Sequence, residues 1–262
     1  MPMTAAEAVH WQVGSDQVAT IRLDRPEVRN ALDEQAWHEL LDAVRAVGRE
    51  DVRAVVLTGG DSFFSAGGDV RSMPGPESHL MAPAQRLAAG HEVIRGLVAM
   101  NAPVIAAVER YALGAAWGLV LACDLVVAGR AAFFQSPFAL RGLVADAGIA
   151  WQLPKALGHQ RAMRYLLLAE RLPAPEALEL GLVSHLVPDG EATSSALEIA
   201  ARLALGPGES NALTKSLAHR GQGTELTGFL REELVAVALA GHGRDAAEGR
   251  AAFVEKRNPD FT

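Results

Sequence analysis

Cysteine is nearly missing from this chain: Cys123 is the one example in 262 residues, so no disulfide can form within it. Nothing in its covalent chemistry calls for an oxidising compartment. Set in an apolar run, Cys123 reads as packing rather than chemistry. Long hydrophobic runs are missing too: no window reaches the roughly 18 uncharged apolar residues of a membrane span. The N-terminus carries Glu7 and no continuous apolar segment, unlike a secretory leader. A cytoplasmic setting away from membranes is the expectation. Basic charge is scarce, with 24 lysines and arginines against 31 acidic residues and a formal net charge of -7. The only close basic cluster is Lys256-Arg257 with Arg250 upstream, so a nucleic-acid partner is not expected. The eight histidines are scattered, with no HxxH, HExxH or CxxC spacing, and no metal centre is expected.

What is present is a composition of 50% apolar and 21% charged residues, ordinary for a globular protein long enough to bury a substantial core. Alanine and glycine are abundant without any short repeat. The chain is organised around Val55–Val70. A β-branched run, Val55-Val56-Leu57-Thr58, reads as a buried parallel strand. It breaks at Gly59-Gly60 and climbs through Phe63-Phe64 into Ser65-Ala66-Gly67-Gly68-Asp69. Ligands of open α/β folds sit at the carboxyl ends of strands. A small-residue loop there lets backbone N–H groups approach a carbonyl oxygen that becomes an oxyanion. A tight turn without chemistry is the alternative.

Before this stretch, strands are expected at His10–Val13 and Val18–Leu23, then a loop over residues 24–30. Asp33 is placed to cap a helix whose Trp37, Leu40, Leu41, Val44 and Val47 form one apolar stripe. After it, residues 71–83 lose all pattern and suggest an irregular lid or wall. A helix over 84–98 turns His91 inward by periodicity, as a structural residue. Val104–Val108 is a second buried strand, and Glu109–Leu119 a loop passing into a helix that begins with small residues. The earlier theme is thus repeated: strand, small-residue loop, helix start. The N–H groups of Gly68 and Ala115 are the pair that could converge on one oxygen. Ala and Gly serving only close helix packing is the competing view. Strand–helix alternation continues to about residue 190 and implies an α/β parallel sheet with right-handed crossovers. Beyond it the chain reads helical, with Ser210 capping a helix over 210–220. A core of 1–190 and a C-terminal helical region of 191–262 follow as the expected organisation.

These stretches together resemble the enoyl-CoA hydratase/isomerase, or crotonase, superfamily. The marks are Asp24-Arg25-Pro26 with Arg29-Asn30-Ala31-Leu32, Ser65-Ala66-Gly67-Gly68-Asp69 and Gly114-Ala115-Ala116-Trp117-Gly118. Further on come Cys123-Asp124, Gly142-Leu143-Val144 with Asp146-Ala147-Gly148, Gly181-Leu182-Val183, and the closing Ala252–Arg257. The resemblance implies a ββα spiral core with a C-terminal helical trimerisation or lid region, assembled as a trimer or dimer of trimers. It implies an acyl-CoA substrate, coenzyme A being part of that thioester, with no tightly bound cofactor. The thioester oxygen would lie between Gly68 and Ala115. Adenine and pantetheine would follow Ala66, Gly67 and Gly68, with Arg25, Arg29 and Lys256 near the phosphates.

Matching the hydratase motifs puts Gly118 and Phe138 where two catalytic glutamates would stand. Neither can move a proton, so the two-carboxylate hydration is not expected. Glu109 lies before the loop, on the strand side, and does not replace them. Trp117, Phe138 and Met73 are assigned to an apolar acyl pocket. Asp146 resembles the acid of family isomerases, and in a dehalogenase branch the same place carries a nucleophile. Enclosed by Trp117 and Phe138, its pKa should rise by desolvation; if it instead caps the next helix, its pKa should fall. The favoured activity is double-bond isomerisation of an enoyl-CoA through an enolate. The alternatives are hydration or hydrolysis through a non-standard acid (Asp146, or Glu77 in the irregular segment), dehalogenation, and a non-catalytic acyl-CoA-binding homologue.

Overall fold

The computed structural model describes residues 7–75 and 77–262. Its larger sheet contains β1 (Val9–Val13), β2 (Val18–Leu23), β3 (Ala54–Thr58), β4 (Val104–Val108), β6 (Leu125–Gly129) and β9 (His185–Val187). The spatial order is β1-β2-β3-β4-β6-β9, parallel throughout except for β1, which pairs antiparallel with β2. Both β3 and β4 are buried at every residue, which is why they read as continuous apolar runs and not as alternating ones. A smaller sheet, in the order β5-β7-β8, is built from β5 (Tyr111–Leu113), β7 (Phe133–Gln135) and β8 (Arg171–Pro173).

The two sheets are threaded together by a repeated step of strand, short strand and helix. β4 gives way to β5 and then α3 (Ala115–Leu121), and β6 to β7 and then α4 (Ile149–Leu157). β3 enters the same pattern less regularly, because Ser65 makes an isolated parallel bridge to Ala112 of β5 before α2 (Ala82–Ala99) begins. This is the ββα spiral that the sequence implied. β5 itself lies within the expected loop over residues 109–119, since a three-residue strand is too short to display alternation. The corner into it is made by Arg110 at φ +55°.

Helix α1 (Glu34–Val47) begins at Asp33, whose Oδ1 accepts the Ala36 N–H at 2.9 Å, and it buries the anticipated stripe against the core. The other face of the sheet is covered by α7 (Ala192–Ala204). Its Ala192, Ala196, Ala200 and Ala204 lie against Val18, Ala54, Val56, Ile105, Ala107 and Val127. Alanine at every fourth position presents a smooth stripe that lets a helix lie close to a sheet. By packing, the first helix beyond residue 190 is therefore a layer of the sheet. Buried Glu109 accepts the N–H groups of Gly190 and Ala192, both at 2.9 Å, and so caps α7.

In chain order α5 (His159–Leu167) follows α4, and α6 (Ala174–Glu179) lies between β8 and β9. Helices α8 (Gly208–Gly221), α9 (Leu226–His242) and α10 (Arg244–Glu255) complete the chain. Ser210 does not cap α8. The helix starts two residues earlier, and Asp245 of α10 accepts the Glu209 N–H at 2.8 Å in its place. The helical region is tied to the core by Lys215, whose Nζ lies 2.7 Å from Asp124 Oδ2 and donates to Leu97 O and Ala102 O. Among the described residues no helix is long and apolar enough to cross a membrane.

Candidate active site

The site is built by locking one glycine loop against another. Asn30, buried and at φ +54°, donates from Nδ2 to Gly59 O and Phe64 O at 3.1 and 3.0 Å, while its Oδ1 accepts the Arg25 N–H at 2.8 Å. Ser65, fully buried, donates to Asn30 O at 2.6 Å and accepts the Gly67 N–H at 3.0 Å. The motif around Asn30 and the one around Gly67 are therefore one structure, which explains why they occur together. Gly67 O then accepts the Leu32 N–H at 2.8 Å, and Leu32 O accepts the Asp69 N–H at 2.9 Å. Carbonyl and N–H point opposite ways across a trans peptide. Fixing Gly67 O on Leu32 thus turns the Gly68 N–H away from Leu32.

Gly67 sits at φ +87°, and a Cβ there would come within 2.3 Å of Leu113 O and 3.6 Å of Ala115 N. Only glycine lets the loops approach this closely. The second loop turns at Gly114, φ +52°, whose own N–H donates to Gln135 O at 2.9 Å. Ala115 is the first residue of α3 and its N–H has no carbonyl four residues back to donate to. Neither the Gly68 nor the Ala115 N–H donates to any group among the described residues.

Both amides line one cavity of about 880 Å³. Ala66, Met73, Phe138 and Asp146 are on its wall. Trp117 is not. It is 1% exposed, stacked on Phe134 at 5.9 Å and edge-on to Tyr165 at 6.3 Å. Its place on α3 faces the core, where so large an apolar side chain is most favourably buried. The floor near α3 is closed differently. A Cβ on Gly118 would meet Ala147 O at 2.3 Å and Ala147 Cβ at 2.7 Å, so the turn before α4 occupies the space of any side chain at 118.

The residues carried over for coenzyme A lie off the cavity wall, apart from Ala66 and Gly68. Arg25 is engaged at home: Nη2 pairs with Asp33 Oδ2 at 2.7 Å and Nη1 donates to Ala31 O at 2.7 Å. Arg29 and Lys256 are exposed, at φ +57° and +53°. Glu77 is exposed and also off the wall.

The Ile149 N–H at the start of α4 goes to the Asp146 backbone carbonyl at 3.1 Å, and among the described residues the carboxyl group accepts none, so it is not a side-chain helix cap, a place held by Gly148. Asp146 Oδ1 is buried without a hydrogen-bond partner among the described residues. Burial lifts its pKa from the ordinary 3.8 to about 6, with the positive charge of Arg86 opposing the rise. A carboxyl group titrating near neutrality in the same cavity as two N–H donors that are unengaged among the described residues can take a proton from carbon and return it. Two further groups on the wall come from α2. His91 is exposed and faces the cavity rather than the core. Arg86 reaches in from one turn earlier. No sequence signal marked Arg86, because its helix is only weakly amphipathic and its partners, two backbone carbonyls and the Ser72 hydroxyl, are distant in the chain or in an irregular segment.

An α/β spiral with a partly open, largely apolar cavity at the junction of two glycine loops is the usual form of a small-molecule site. The family model of enoyl-CoA hydratase/isomerase matches residues 14–262. A probable enoyl-CoA hydratase of Rhodobacter capsulatus is 38% identical over 248 residues, covering 95% of each chain. The 1,2-epoxyphenylacetyl-CoA isomerase of Escherichia coli is 34% identical over 250 residues, covering 94% of this chain and 95% of that one. The crystal structure of a putative enoyl-CoA hydratase from Streptomyces coelicolor superposes with a TM-score of 0.92 at 34% identity, covering 100% of this chain and 99% of the other. The chain belongs to the enoyl-CoA hydratase/isomerase family.

Proposed function

We propose that this protein moves a proton between carbons of an enoyl-CoA thioester, as a double-bond isomerase does. The Gly68 and Ala115 N–H groups bind the thioester oxygen. Asp146, ionised above a pH of about 6, removes a proton from the α- or γ-carbon. The electron pair moves into the thioester, whose oxygen carries the negative charge of the enolate, and Asp146 returns the proton to the other carbon. The observation that carries this reading is the buried, unpartnered Asp146 Oδ1 on the same wall as two unengaged amides.

With Gly118 and Phe138 at the places of the hydratase glutamates, Asp146 is the one carboxylate on the wall among the described residues. Relatives carry both hydratase and isomerase names, so the competing outcome is addition of water. Incubation with 2- and 3-enoyl-CoA substrates in ¹⁸O-labelled water separates the two. Isomerisation gives an unlabelled shifted alkene, whereas label at a product carbon would overturn the proposal. Released halide from an aryl-CoA would indicate dehalogenation, and tight binding without turnover a non-catalytic homologue.

The acyl group is apolar, facing Met73, Phe138, Leu87 and Leu113. Coenzyme A enters as part of the substrate and no other cofactor takes part. Arg29 and Lys256, both exposed, remain free for its phosphates, whereas Arg25 is committed to Asp33. The chain assembles as a trimer or a dimer of trimers through the helical region, where α9 exposes Leu226, Leu230, Leu234, Val235, Val237 and Leu239.

A further inference from the structure

Arg86 lies on none of the motif stretches, yet its guanidinium is lodged against the loop at Gly68. Its Nη2 donates to Asp69 O at 2.8 Å and Ser72 Oγ at 3.0 Å, and reaches Leu32 O at 3.5 Å. Both terminal nitrogens stand 3.9 Å from where a Cβ on Gly68 would be. The same Leu32 O receives the Asp69 N–H. One cation therefore holds the carbonyls on either side of the bridge that aims the Gly68 N–H. All of these bonds come from Nη2, and Nε is buried without a partner among the described residues. A buried unmatched donor is unfavourable by roughly 1–3 kcal/mol and is rare in folded proteins. The other unmatched group on this wall is Asp146 Oδ1.

Surface lysines or arginines that only solubilise a helix do not look like this. Arg86 is drawn off the helix surface into a loop whose carbonyls it ties together, and it lines the same cavity as Gly68 and Ala115.

We propose that Arg86 is a positioning residue for the acyl oxygen. Its guanidinium clamps the Leu32–Asp69 bridge so that the Gly68 N–H stays aimed, and its charge strengthens the field that polarises the carbonyl. The proposal rests on the thioester reading above. It is distinct from it, because the two amides could bind a thioester with no help from Arg86.

The test uses the full chain and 4-(dimethylamino)cinnamoyl-CoA, whose absorbance moves to longer wavelength when its carbonyl is polarised. The wild type should bind the probe with a red shift. Arg86→Met should still bind, with affinity reduced less than about tenfold, which is about 1.4 kcal/mol. It should lose more than half of the red shift. Arg86→Lys, which keeps a cation and a donor, should recover most of it. Isomerase turnover should fall about 10²-fold in Arg86→Met, the scale of a lost oxyanion donor, mainly in kcat and not in KM. An Arg86→Met protein with a wild-type melting curve and the full red shift overturns the proposal and leaves the thioester reading standing. So does an Arg86→Lys protein no better than Arg86→Met. Should Arg86→Met fail to fold, Arg86→Gln against Arg86→Lys decides by the same criteria. A wild type that binds neither this probe nor any CoA ester overturns both.

Discussion

Replacing Asp146 by Asn should make the protein more stable and nearly inactive at once, and the stability gain should depend on pH. The carboxyl group titrates at about 6 in the fold against 3.8 ordinarily, because burial disfavours its ionised form. At about 1.36 kcal/mol per tenfold change in proton affinity, that difference corresponds to about 3 kcal/mol. The folded protein holds this proton more tightly than the unfolded chain does. Ionising Asp146 therefore weakens the fold as the pH rises from about 4 through about 6, and the full penalty stands above that. Asn is neutral throughout and escapes it. At pH 8 the variant should gain up to about 3 kcal/mol, on the order of 6 °C in Tm for a chain of this length. At pH 4 the two proteins should melt together. Denaturant and thermal unfolding of both proteins across pH 4 to 8 measure this directly. Proton transfer by the wild type should rise with pH through about 6 as the carboxylate forms. The variant should lose about 10²–10⁴-fold of kcat with CoA-ester affinity kept. Equal stability at pH 8, or surviving isomerisation, would refute the placement of a desolvated base at this position.

Gly118→Ala should destabilise the protein by roughly 1–3 kcal/mol in chemical unfolding, because its Cβ would press on the Ala147 backbone. Gly118→Glu should accordingly fail to confer hydratase activity on crotonyl-CoA. Gly67→Ala forces a Cβ to within 2.3 Å of Leu113 O at φ +87°. It should weaken CoA-ester binding measured by calorimetry at least about tenfold, or about 1.4 kcal/mol. Lys215→Met removes the cation from half-buried Asp124, which keeps the Val104 N–H and His219 Nε2, and leaves Leu97 O and Ala102 O without that donor; it should lower unfolding stability in urea by roughly 1–3 kcal/mol. Its effect on kcat should be small, since Lys215 is off the cavity wall.

Much of this architecture was legible in the amino-acid order because its signals are local. The Asp33 cap, the apolar face of α1, the unbroken runs of β3 and β4 and the onset of helix after residue 190 each follow from residues a turn or a strand apart. The two small-residue bends were legible for the same reason: Gly67 and Gly114 are demanded by backbone angles that other residues rarely adopt. Features set by distant partners were not. Trp117 reads as a pocket residue until Phe134 and Tyr165 are brought against it. The capping of α8 belongs to Asp245, 36 residues on, and not to Ser210. Likewise, Asp146 could have been a helix cap or a desolvated acid, since its flanking residues suit either. Only the tertiary structure decided, by carrying its carboxyl into a wall beyond the reach of α4 and setting Arg86 nearby. Sequence fixes conformation where the interaction is short in chain length; proton affinity and access depend on what folding draws together from afar.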